Sequence, residues 1–223
     1  MRKKALSVLV SDKISKSAIN VLEKEKIAVD FLPQIGVKKK LESHIAKYDG
    51  LIIRSGSEVN AKVLSKARKL SVIGRAGIGV DNVDIEKATE KGIVVMNTPY
   101  GNAITTAEHA IAMMFAVSRQ ISAADQSTQL GKWEKAKFMG QELTGKVLGL
   151  IGVGNIGSLV AERAFGLKLR VIAFDPFLTE EKVESLGIKR MNSLEELVSH
   201  SDIISLHIPK TEKTENIIDA KKI

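Results

Sequence analysis

"KVLGLIGVGNIGSLVAERAFGLKLRVIAFD", residues 146–175, decides the fold. A short apolar run from 146 to 152 enters three glycines. Residues 155–165 then carry apolar side chains at helical spacing, Gly166 is read as the helix stop, and "LRVIAFD" is a second apolar run ending on an acid. Two strands joined through a helix lie parallel, so the segment reads as one βαβ unit. Gly152, Gly154 and Gly157 stand in G-x-G-x-x-G order at the strand-to-helix junction, the context a dinucleotide motif needs. Gly152 permits the tight turn, Gly154 lets the backbone approach a pyrophosphate, and Gly157 lets helix and strand pack closely. Amides around Asn155 and Ile156 would face the phosphate oxygens, aided by the helix dipole. Asp175, about eighteen residues beyond Gly157, stands near the usual offset for an acid that binds ribose hydroxyls. A 2′-phosphate beside that carboxylate would meet repulsion of about 4 kcal/mol at 4 Å and an effective dielectric of 20, which favours NAD over NADP. A glycine turn without a ligand is the competing reading.

Downstream, "SLEELVSHSD" opens on a capping box, Ser193 with Glu196, and leads to a strand in "IISLHIP". A new helix is expected to begin at "DAKKI". Upstream, Leu6–Val10, Ile27–Phe31, Leu51–Arg54, Val72–Arg75 and Ile93–Met96 are short β-like runs, with helix-like stretches such as "DKISKSAINVLEKE" and "NAKVLSKARK" in the intervals. That alternation gives a second parallel sheet with helices on both faces. "NTPYGN", 97–102, breaks the rhythm. The expected architecture is α/β: two doubly wound parallel-sheet domains, a flavodoxin-like substrate domain over 1–98 and a Rossmann NAD-binding domain over 99–223. Within the latter, "TTAEHAIAMMFAVSRQI" reads as a helix opened by Thr105 and Glu108. Its apolar residues cover nearly the whole circumference, so it is expected to be buried all round, within its domain or against a second subunit. "GKWEKAKFMGQELTGK" follows as a polar arm.

A second glycine cluster, "GRAGIGVDN", spaces Gly74, Gly77 and Gly79 in the reverse order, and the next strand ends at Asn97, not at an acid. It carries Arg75 where its strand ends, and Arg54 ends the strand before. Ligands of open parallel sheets gather outside the carboxyl ends of strands. Two guanidinium groups beside free amides at Ala76–Ile78 suit a small di-anion. The alternative is that both arginines are paired with local carboxylates such as Glu58 and Asp81.

Composition bounds the rest. Of 223 residues, 44% are hydrophobic, enough for a core, and aromatics are only 4%, so aliphatic side chains must fill it. No apolar run reaches membrane-spanning length, and the run in "MRKKALSVLV" is too short for a signal peptide. The absence of cysteine excludes disulfides and thiolate chemistry and suits a cytoplasmic protein. The net charge of +8 comes from lysines scattered through "MRKK", "KKK" at 38–40 and "KARK" at 66–69, without interleaved aromatics. These read as solvated faces, with no nucleic-acid, membrane or metal partner expected.

"RAGIGVDNVDIEKATEKGIVVMNTPYGNAITTAEHAIAMM", "GKWEKAKFMG", "GLIGVGNIG…FDP" and "SLHIPKTEKTENII" together resemble the D-isomer-specific 2-hydroxyacid dehydrogenases. The resemblance implies NAD-dependent oxidation of a small anionic 2-hydroxy acid, phosphorylated or not. A non-catalytic NAD-sensing protein is the alternative from another class. It implies that Arg54, Ser55, Arg75 and the backbone at Gly77 and Ile78 meet the substrate. Asn155, Ile156 and Asp175 would hold NAD, with His207, Ile208 and Pro209 lining it. It likens residues 99–145 to a dimer contact, implies a homodimer or homotetramer, and makes Lys135 a candidate for a substrate phosphate. The family's catalytic arginine, glutamate and histidine fall beyond Ile223, so no residue here is assigned as catalytic and a C-terminally incomplete dehydrogenase is expected. His44, His109 and His200 read as structural or solvated.

Overall fold

The computed structural model describes residues 6–37 and 40–222; the "MRKK" run, Lys38 and Lys39, read above as solvated, lie outside the described residues. The chain divides into two compact units, Met1–Asn102 and Ala103–Ile223.

The first unit runs β1 (Ser7–Val10), α1 (Lys16–Lys24), β2 (Ala28–Phe31), α2 (Gln34–Val37), two short 3-10 turns, β3 (Gly50–Ile53), α3 (Ala61–Lys66), β4 (Val72–Arg75), α4 (Ile85–Glu90) and β5 (Val94–Asn97). All strands are parallel, in the order β2-β1-β3-β4-β5, the flavodoxin-like order. Helix starts are set by small polar caps: Ser15 accepts from the Ala18 amide, Asn60 from Lys62 and Val63, and Asp84 from Lys87. Leu9, Leu51 and Ile73 stand side by side across the sheet, none more than 1% exposed. Ile35, Leu41, Ile45, Val63, Leu64 and Ala88 join them in one core. The alternate set, Ile52, Gly74 and Met96, is also in register but more thinly covered, because α1 buries no residue. A cavity of about 450 Å³ remains there.

The second unit runs α5 (Ala103–Ser118), α6 (Ile121–Gln129), a 3-10 turn at Lys135–Phe138, β6 (Val147–Ile151), α7 (Asn155–Gly166), β7 (Arg170–Phe174), α8 (Glu180–Leu186), β8 (Lys189–Arg190), α9 (Leu194–His200) and β9 (Ile203–Leu206). Its parallel order, β8-β7-β6-β9, is the 3-2-1-4 arrangement of a Rossmann half-sheet with its switch point between β6 and β9. Leu148, Leu150, Val160, Ala161 and Ala164 form the centre of its core.

Several expectations are corrected. Helix α5 begins at Ala103, so Thr105 lies inside it, and Glu108 pairs with Arg163 at 3.6 Å and closes no capping box. Of the two ways of burying α5 all round, its own domain does not supply it: Ala103, Ala107 and Met114 are buried, while Ile104, Met113 and Val117 are exposed. Gly166 is the last residue of α7 and does not stop it. The left-handed residue is Lys168 (φ 62°), whose amide bonds to Phe165 O, while that of Leu169 bonds to Ala164 O. This is a Schellman end built with a lysine, and burial of Leu169 at 3% exposure holds it in place. Residues 219–222 form a turn closed by Lys222 N to Asp219 O at 3.0 Å, in which Asp219 Oδ1 accepts from Lys221 N at 3.1 Å as a helix N-cap does.

Candidate functional site

The glycine loop of the second unit leaves β6 at the switch point. Gly152 has φ 90°, and a Cβ there would lie 2.6 Å from Ile208 Cγ2 and 2.7 Å from His207 O, so a side chain is excluded by both strain and space. A Cβ on Gly157 would collide with Gly152 O. Gly154, the N-cap of α7, is different: nothing lies within 4 Å of the place its Cβ would occupy. The first intrahelical bond of α7 runs from Ser158 N to Gly154 O, so the amides of Ile156 and Gly157 lie upstream of it, where a helix N-terminus binds anions. Two glycines that cannot be replaced and one that borders open space are what close approach of a pyrophosphate requires, so these residues fit NAD.

Two charged side chains hold the Val153 peptide. Asp175 Oδ2 accepts from Val153 N at 2.8 Å, and its Oδ1 accepts from Phe177 N at 2.9 Å. Lys182, on α8, donates to Val153 O at 2.6 Å. Each carboxylate oxygen of Asp175 keeps a second lone pair, so the acid can brace the loop and still accept from a ribose hydroxyl. His207 N donates to Ile151 O at 2.8 Å, which seats the residue beside Gly152, and its Nε2 lies 3.0 Å from Ser205 Oγ. Burial pushes the pKa of His207 down and favours the neutral ring. Ile208 adjoins the same turn, and exposed Pro209 accepts from Thr214 Oγ1 at 2.6 Å.

The second cluster lies in the first unit. Arg54 and Arg75 line the same cavity, together with Ile14, Ser15 and Ala18 of the α1 approach. Ser55 borders an adjacent hollow with Arg54 and Asp12. The arginine ion pairs among the described residues are those of Arg163 and Arg190, so neither Arg54 nor Arg75 is neutralised by Glu58 or Asp81. The nest of free amides at Ala76–Ile78 is corrected: Ala76 N donates to Ile53 O at 2.8 Å and Gly77 N to Arg75 O at 2.9 Å. The β3–β4 ladder runs one residue further than expected and then folds into a tight turn. That leaves the Ile78 amide for a ligand, while Ile78 O accepts from Asn97 Nδ2 at 2.7 Å. The Arg75 guanidinium lies over Gly77, where any Cβ would collide with Nη1. Lys135 is exposed on the 3-10 turn of the second unit and belongs to neither cluster.

Three residues escaped sequence reasoning. Asp12 is 4% exposed and its Oδ2 accepts from Arg54 N at 2.6 Å and Ser57 N at 3.1 Å. Its place two residues after β1, beside the β1/β3 switch point, was the available signal. Asn82 was visible only as part of the glycine cluster, and Lys182 only as one of several charges on α8.

Residues 111–223 match the family model described as D-isomer specific 2-hydroxyacid dehydrogenase, NAD binding domain. A curated D-3-phosphoglycerate dehydrogenase of Archaeoglobus fulgidus is 44% identical over 96% of this chain and 40% of its own length. One from Methanocaldococcus jannaschii is 42% identical over 98% of this chain and 41% of its own length. The chain therefore spans about two fifths of these relatives. A glyoxylate reductase structure from Paecilomyes thermophila superposes with a TM-score of 0.86 at 25% identity, covering 99% of this chain and 70% of that one. Among the described residues no helix is long and apolar enough to cross a membrane.

Proposed function

Because this chain belongs to the D-isomer-specific 2-hydroxyacid dehydrogenases, we propose that the protein oxidises D-3-phosphoglycerate to 3-phosphohydroxypyruvate with NAD, the first step of serine biosynthesis, in the cytoplasm. The observation that carries the reading is the pair of arginines, unpaired with carboxylates, on one cavity at the carboxyl edge of the first sheet. Two guanidinium groups there suit a substrate with carboxylate and phosphate. The names of the relatives at 42–44% identity point to the same acid.

When bound, NAD supplies the acceptor for the hydride leaving C2 of the acid. The residues of this chain bind and orient. The amides of Ile156 and Gly157 and the open face of Gly154 receive the pyrophosphate, with Asn155 in the same first turn. Asp175 selects the ribose diol against a 2′-phosphate. His207, Ile208 and Pro209 wall the coenzyme, His207 as a neutral ring. Arg54, Ser55, Arg75 and the backbone at Gly77 and Ile78 hold the acid. None of these side chains is given the proton of the substrate hydroxyl.

Exposed apolar side chains are frequent between 103 and 133, among them Ile104, Met113 and Val117 on α5 and Leu130 and Trp133 after α6, and we assign the oligomer contact to this segment. The full-length gene product is expected to reduce NAD with D-3-phosphoglycerate. Turnover of D-glycerate or D-lactate with no response to D-3-phosphoglycerate would move the function to an unphosphorylated acid, the reading favoured by the glyoxylate reductase likeness. NAD binding without turnover of any 2-hydroxy acid would leave a coenzyme-sensing role.

A further inference from the structure

Asn82 makes three hydrogen bonds with one amide. Its Oδ1 accepts from Arg75 Nε at 3.3 Å, and its Nδ2 donates to Arg54 O at 2.7 Å and to Ser57 O at 2.6 Å. The partners fix which way the amide points, since Arg75 Nε can only donate and the two carbonyls can only accept. The backbone of the same residue is tied down as well: Val59 N donates to Asn82 O at 2.8 Å, and Asp84 N donates to Val59 O at 2.9 Å.

The turn at 54–57 is thereby gripped from two sides. Its amides, Arg54 N and Ser57 N, point to the buried Asp12 carboxylate, and its carbonyls, Arg54 O and Ser57 O, point to the Asn82 amide. Arg75 is held by its inner nitrogen, which leaves Nη1 and Nη2 as the forked pair that meets a carboxylate. Asn82 is therefore the part common to both arginine-bearing loops.

We propose that Asn82 is a positioning residue that sets the spacing between Arg54 and Arg75 and so governs affinity for the anionic acid without touching it, an inference that rests on the function proposed above. An aspartate of nearly the same shape in its place would oppose two carbonyl oxygens and neutralise Arg75.

The test is steady-state kinetics of the full-length gene product carrying Asn82→Asp, with D-3-phosphoglycerate and NAD varied separately. The expected result is a KM for D-3-phosphoglycerate raised at least tenfold, a KM for NAD within twofold of the wild type, and, when Asn82→Asp is added to Arg75→Ala, a combined loss smaller than the product of the two single losses, the remainder being the part that Asn82 exerts through the Arg54 turn. An unchanged KM for the acid overturns the proposal, and so does a double variant whose losses simply multiply, because Asn82 would then not act through Arg75. If the aspartate variant loses the cooperative thermal unfolding of the wild type, and so is misfolded, Asn82→Ser is measured against the same criteria. A wild type that turns over D-lactate or D-glycerate instead refutes the substrate assignment alone, and the same comparison is then made with that acid. A wild type inactive on all three acids overturns the function and this proposal together.

Discussion

Gly152 and Gly154 are separated by one residue, yet replacing each with alanine is expected to do opposite things. At φ 90°, Gly152 holds a left-handed conformation that costs an L side chain about 1–2 kcal/mol. Its new methyl would also press on Ile208 Cγ2 at 2.6 Å and His207 O at 2.7 Å. His207 cannot easily retreat, because its amide is bonded to Ile151 O at 2.8 Å in continuation of the β6–β9 ladder. Overpacking of this kind costs about 1–3 kcal/mol more. Gly152→Ala should therefore lose about 2–5 kcal/mol, a large share of a domain's net stability, and lower Tm by roughly 4–20 °C. Gly154 has φ −72° and open space around it, so Gly154→Ala loses only the advantage of glycine at an N-cap, about 1 kcal/mol or less. The methyl would, however, stand where the pyrophosphate approaches, and NAD affinity should fall at least about tenfold, or 1.4 kcal/mol. Thermal unfolding without ligand and calorimetric titration with NAD separate the two effects. A Gly154→Ala protein that binds NAD like the wild type would refute the placement of the pyrophosphate. A Gly152→Ala protein that melts like the wild type would refute the turn itself.

Asp175→Asn should narrow the preference for NAD over NADP, because the repulsion of about 4 kcal/mol before screening disappears; comparing the two dissociation constants checks it, and an unchanged ratio counts against the role. Lys182→Met leaves the Val153 carbonyl with only the longer bond from Ser158 Oγ at 3.2 Å, and should weaken NAD binding several-fold while moving Tm by only a few degrees, read from the same two assays. His207 supplies a pH dependence. Its folded pKa is depressed by burial, so its contribution to stability is complete above the unfolded value near 6.5 and is lost as pH falls from there through the folded value. Urea unfolding from pH 7.5 to 5 should show stability falling with pH, and His207→Gln should flatten that slope.

The elements and the glycine loop were legible in the order of residues because their causes are local. Short continuous apolar runs such as "SVLV" and "VLGLI", the cap Ser193, and the spacing of Gly152, Gly154 and Gly157 act within one turn or strand. The failures also have physical causes. Leu169, buried in the core, pulled the left-handed position from Gly166 to Lys168, and Arg163, arriving from another helix, took Glu108 out of its supposed capping box. The apolar circumference of α5 shows that the helix has faces to cover, but not how many of them this chain covers.

Composition and local pattern were enough to specify parallel sheets, a dinucleotide loop and two arginines at strand ends, since each follows from backbone geometry and from side chains a few residues apart. Only the folded arrangement could bring Asp12 to the Arg54 amide 42 residues on, Asn82 to Arg54 O 28 residues back, or Lys182 to Val153 O 29 residues back. Those bonds depend on which strands become neighbours, and sheet order is set by how the whole chain packs its core, a long-range balance that no short stretch of residues records.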